Sequence, residues 1–341
     1  MASGLNTSLP PPSTSSLSRS RSSSPQKPSE STYRMRTLLR AGIYVDVDVP
    51  EEVKDQINIA LQTPPTDAAT LERLVSKLQH VSMELTAAQA GETEWTDLLY
   101  EIVKGLKPIN LLVARNRDWR PDIKPRVHQP SVPQKRLCDT SGAVDSSVKT
   151  SAQAPMTPFY LKNPRPDISV GISDRALANI LQSRQVRNAK YLLNDLQETR
   201  DLISDPGVNP LSLRFPFFLV EAKSGATGSN LYQAQNQAAV GGASAIEILK
   251  GLYKACDSPV LNTAPPSGVN TAHCWNETDG SYCMANIDMW RTTRESRASD
   301  FVSKISSILN WGSGTFQTTI LEKLSFFSAQ DSPSTFQPEL S

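Results

Sequence analysis

Apolar residues recur along this chain with two periods, and the change from one to the other divides it. Leu71, Leu74, Val75, Leu78 and Val81 follow one another at three and four residues, which predicts a helix running on from Thr66. "GETEWTDLLYEIVKGL", residues 91–106, predicts another, with Trp95, Leu98, Leu99, Ile102 and Val103 on one stripe and Glu92 three residues ahead of Trp95. Upstream, "YRMRTLLRAGIYVDVDVP" leads into a helix that starts near Pro50, with Asp48 or Val49 at its cap. The N-terminal third therefore reads as helical. Beyond residue 158, short apolar runs alternate with helical segments. Strands are predicted at 167–172, 213–223 and 281–293, and helices at 174–203, 230–256 and 298–312. Strands interleaved with helices predict an α/β fold, a mixed central sheet flanked by helices.

Composition sets the boundaries. Residues 1–32 are rich in Ser and Pro with little to bury, so they read as a disordered tail. Residues 33–106 form the helical region that contributes to the core, 107–157 a basic, Pro- and Ser-rich excursion, 158–326 the α/β core, and 327–341 a C-terminal tail. The 341 residues carry 35 Lys and Arg against 34 Asp and Glu, so no global field draws the chain to nucleic acid. Charge is uneven, however: residues 115–136 hold seven Lys or Arg against Asp118 and Asp122, with Trp119 among them for stacking. The four cysteines form no CxxC pair and follow no secretion signal, which fits reduced thiols inside a cell. His273, Cys274 and Cys283 match no zinc spacing. No run approaches the roughly 18 apolar residues of a membrane span. A nuclear location would fit the basic N-terminal tail.

One stretch breaks its own pattern. "RFPFFLVEAKSG", residues 214–225, reads as a buried strand that ends in two charges. Alternation puts Leu219, Glu221 and Lys223 on one face and Val220 and Ala222 on the other. A strand end emerging into solvent would carry such a pair at less than about 1 kcal/mol. If the pair is buried, losing one partner costs on the order of 3–5 kcal/mol, so its retention points to a site. A further carboxylate, Asp167, stands at the mouth of the preceding apolar strand in "PRPDISVGI". An identical "RPDI" occurs at 120–123, but "KPRVHQP" follows Asp122 where an apolar strand follows Asp167.

Pro166-Asp167 followed by Glu221-Ala222-Lys223 resembles the motif of the PD-(D/E)xK nuclease superfamily. The wider layout, from "TYRMRTLLRAGI" through "ETEW", "RPDISVGI" and "FPFFLVEAKSGATGSNLYQAQNQAA" to "YCMANIDMWRTT", is similar to largely uncharacterised fungal proteins with PD-(D/E)xK nuclease-like domains. It spans roughly residues 32–326. The resemblance implies a restriction-endonuclease-like core and a Mg²⁺ or Mn²⁺ site made by Asp167, Glu221 and the backbone carbonyl of Ala222. It also implies DNA or RNA as partner. Hard oxygen ligands suit such an ion on a scissile phosphate, and Lys223 would stabilise or deprotonate the attacking water. It further implies an acidic residue on the preceding helix, Glu92 with Glu94 as the alternate, and a Gln on the helix after Lys223. Gln233, Gln235 and Gln237 are the candidates; Gln233 and Gln237 share one helix face, and Gln233 is taken for the site.

Fifty-four positions separate Asp167 from Glu221, which predicts an insertion between paired strands. The small residues Ala234, Ala238, Ala239, Gly241, Gly242 and Ala243 predict close helix-to-sheet packing, and "GATGSN" and "GSGTF" lack the ending of a phosphate loop. Two functions follow: a metal-dependent phosphodiesterase, or a nuclease-like module that binds nucleic acid or protein without cutting.

Overall fold

A computed structural model describes residues 29–48, 50–65, 67–129, 159–224, 231–256 and 271–330. Of the tail expected over 1–32, residues 1–28 lie outside the described residues, as do Gly225, Gly228 and most of the basic excursion, whereas residues 29–32 are not tail but the cap and first turn of a helix. The chain opens with a short helix, α1 (Glu30–Tyr33), that continues as a π-helical turn over Arg34–Leu38 and turns into β1 (Ile43–Val45). Three amphipathic helices follow: α2 (Glu51–Gln62), α3 (Ala68–Ala87) and α4 (Glu92–Leu106). Pro50 caps α2, and the Asp67 carboxylate caps α3 by accepting the Thr70 N–H. The predicted stripe of α4 buries Leu98, Ile102 and Val103.

Next come β2 (Leu111–Arg115), β3 (Ile168–Ser173), α5 (Asp174–Ser183), α6 (Leu192–Glu198) and β4 (Leu213–Val220). The long helix α7 (Leu231–Ala255) leads to β5 (Thr271–Asn276), β6 (Ser281–Asn286), α8 (Glu295–Trp311) and α9 (Gln317–Gln330). Six strands form two sheets among the described residues: an antiparallel β2-β3-β4 meander, and β1-β6-β5 with β1 parallel to β6. α7 packs on both. Its small residues allow this, since a Cβ at Gly241 would lie 3.0 Å from Leu219 and one at Gly242 would lie 2.3 Å from the His273 ring.

The α/β class and the helix-covered strands agree with expectation, but the single central sheet is replaced by two three-stranded ones. β1, β2 and β5 were not expected, the strand foreseen over 213–223 ends at Val220, ahead of Glu221 and Lys223, and the one foreseen over 281–293 ends at Asn286. The helix expected over 174–203 is two helices. It breaks where Gln185 and Asn188 take positive φ, and the Val186 N–H caps back onto Leu181 O. Within the excursion expected from 107, the described residues 107–129 pack onto the core, and Trp119, at 1% exposure, is a core residue rather than a stacking platform. α9 extends past 326 to Gln330.

Candidate active site

The β3–β4 pair sets the site. Ile168 lies opposite Val220, so the next positions outward, Asp167 and Glu221, leave the pair on opposite strands at the same end. Asp167 is fixed from three sides. Its carbonyl accepts the Asn116 N–H at 3.1 Å, its carboxylate Oδ2 accepts the Ala222 N–H at 2.7 Å, and Lys223 Nζ stands 3.7 Å from the same oxygen. Ala222 thus contributes through its N–H, a role invisible in the one-letter code. Its carbonyl accepts a hydrogen bond from Lys223 Nζ at 2.7 Å.

Lys223 also donates to Glu92 Oε1 at 2.8 Å, across 131 positions of chain. The Lys223 side chain is only 8% exposed, so this is not a solvent-screened surface pair. Glu92 arrives there because Ser224 Oγ donates to Ala90 O at 2.7 Å, tying the exit of β4 to the start of α4. Glu92 is the first residue of α4, where the free N–H groups of the helix favour a carboxylate. The alternate, Glu94, is exposed. The other "RPDI" forms a 3₁₀ turn in which exposed Asp122 is held by Arg120, outside this cluster.

Electrostatics single out Glu221. Burial, reinforced by the neighbouring Asp167 charge, pushes its carboxyl well above the usual 4.5, and its Oε2 is enclosed without a hydrogen-bond partner. Burial also raises Asp167, against the pull of the Ala222 N–H and Lys223. Three carboxyl groups therefore share one ammonium. An orphaned buried carboxylate oxygen beside a second carboxylate and a backbone carbonyl is a donor set that suits a hard divalent cation. Among the described residues, no three His, Cys, Asp or Glu side chains stand ready as a metal cage. Two carboxylates with phosphate and water completing the shell are enough for Mg²⁺.

The glutamines divide. Gln235 Oε1 accepts from Arg34 and its Nε2 donates to Asp46 at 3.1 Å, so it serves the packing of α1 and β1 onto α7. Gln233 is half-buried in the first turns of α7, and Gln237, one turn on, has its Oε1 enclosed and unpartnered. The α7 residues that line the cleft beside Glu221 are Leu231, Ala234, Gln235 and Ala238, so of the three candidate glutamines Gln235 is the one brought to that cleft. Nothing in the sequence distinguished Gln237 from Gln233.

A domain family of unknown function, DUF7924, matches residues 118–260, less than half of the chain. The match takes in Asp167, Glu221, Lys223 and Gln233 but not Glu92. No curated protein and no solved structure matches the chain significantly.

Proposed function

We propose that this protein is a metal-dependent nuclease of the PD-(D/E)xK type, with a restriction-endonuclease-like core built on β2-β3-β4 between α4 and α7. One observation carries the proposal: Asp167, Glu221 and Lys223 leave one end of an antiparallel strand pair together, and Glu92 reaches them from a separate helix. Asp167, Glu221 and the Ala222 carbonyl would hold Mg²⁺ or Mn²⁺, and a bound ion would supply Lewis-acid stabilisation of charge on the scissile phosphate. Lys223 orients the attacking water with its ammonium, which Glu92 holds in place. The water oxygen bonds to phosphorus and gives up a proton to solvent, the ester bond breaks, and the departing oxygen takes up a proton from solvent. The resemblance assigns Gln233 of α7 to support this site.

The test is cleavage of labelled single- and double-stranded DNA and RNA in Mg²⁺ or Mn²⁺. Lys223→Ala and Glu221→Gln are expected to lower the rate by about 100-fold or more. Wild-type protein that leaves every substrate intact, or variants that cut as fast as wild type, would contradict the proposal. A second reading has its own support, since Lys223 lies between Glu92 and Asp167 as an internal counter-ion. A binding module without catalysis predicts retained oligonucleotide in a gel shift and no cleavage.

A further inference from the structure

A cleft of about 510 Å³ opens beside Glu221, and its chemistry differs from that of the charged cluster. Leu99 and Val103 of α4, Phe218 and Leu219 of β4, and Phe301 and Ile305 of α8 form apolar walls. Two large apolar side chains of its lining, Leu231 and Met289, are 63% and 74% exposed. Its charged lining residues are Glu221 and Asp288, with neither Lys nor Arg. A phosphate is repelled by that lining. A flat, neutral, partly apolar group is not, and the volume lies within the range of small-ligand pockets.

Resting on the nuclease reading above, we propose that this cleft receives an unpaired nucleobase of the substrate, next to the phosphate held at Asp167 and Glu221. Glu221 belongs to both the cleft wall and the charged cluster, so a nucleotide bound there places base and phosphate on adjoining surfaces of one residue. A base inside a duplex has its faces stacked and its edge paired, and must be extruded to enter, which costs a few kcal/mol. The substrate class is therefore nucleic acid with unpaired nucleotides at the cut: single strands, bulges or flaps.

The experiment compares Mg²⁺-dependent cleavage by the full chain of a single strand, a blunt duplex and the same duplex with one bulged nucleotide. Ala234→Leu and Ala238→Leu, which extend side chains into the cleft, are measured alongside. Wild type is expected to cut the single-stranded and bulged substrates at least about tenfold faster than the blunt duplex. Each leucine variant should lose about tenfold on them with Mn²⁺ binding unchanged. A 2-aminopurine at the bulge should change its fluorescence on binding wild type and less so with the variants. Equal rates on duplex and single strand, with leucine variants as active as wild type, would overturn the base pocket and leave the nuclease standing. Absence of cleavage and of Mn²⁺ binding in wild type would remove the nuclease reading and this inference together. If a leucine variant fails to fold, the wild-type ratio of bulged to blunt duplex decides alone.

Discussion

Glu221 is the residue on which the site turns, because its enclosed Oε2 has no partner and its carboxyl is held well above 4.5 by burial. Below about pH 4.5 the group is protonated in both the folded and the unfolded chain. As pH rises from there towards the raised value, the unfolded chain releases the proton first and stability falls. Gln at this position has no proton to lose. Glu221→Gln is therefore expected to gain stability relative to wild type as pH increases from about 4.5. Urea unfolding of both proteins between pH 4 and 8 measures it, and a difference that does not vary with pH would contradict the assignment. The apolar run of β4 was enough to draw attention to the charges after it, but β4 ends at Val220, so Glu221 and Lys223 stand just beyond the strand and period two does not govern them. The Ala222 N–H on Asp167 was not legible, because every residue but proline carries that donor.

Among the elements, the β3–β4 pair and α7 do most to position the cluster, and both depend on glycine. The register shifts between Val170 and Ile172, where Phe215 takes a positive φ and Pro216 sits on the edge strand without an N–H to pair. Gly171 faces this bulge, and a Cβ there would stand 2.6 Å from Arg214 O. Arg214, 3% exposed, then anchors the insertion by donating to Asp174 at 2.7 Å and Ser204 at 3.0 Å, and also to Asn194. Gly242→Ala drives a methyl into the His273 ring and is expected to destabilise by about 1–3 kcal/mol. Gly314→Ala, with nothing within 4 Å, should stay within about 0.5 kcal/mol of wild type. Thermal unfolding of both variants measures the contrast, and equal shifts would contradict the close approach of α7 to β5. The long amphipathic helices were legible because their stripes repeat over several turns. β1, with three residues, and β2, half-buried along Leu112–Arg115 without alternation, carry too short or too uniform a pattern. The break between α5 and α6 rests on left-handed Gln185 and Asn188, residue types that a helix also accepts.

At the scale of the molecule, the two-sheet arrangement brings the start of α4 to the end of β4, so that residues 131 positions apart share a hydrogen bond. Periodicity is a local signal and cannot report that meeting. Only the resemblance of the whole layout placed Glu92 with the motif, and the Ser224–Ala90 hydrogen bond gives the physical means. Local periodicity is equally silent on how strands group, which is why one sheet was expected and two are found. Among the described residues no helix is long and apolar enough to cross a membrane. A divalent cation held by Asp167 and Glu221 is the centre of the proposed nuclease site, and calorimetric titration of Mn²⁺ into the full chain tests that most directly. Wild type should bind with a stoichiometry of about one, Asp167→Ala should lose at least about tenfold in affinity, and Glu94→Ala, on the exposed side of α4, should bind as wild type does. No Mn²⁺ uptake by wild type, or equal affinity in Asp167→Ala, would contradict it.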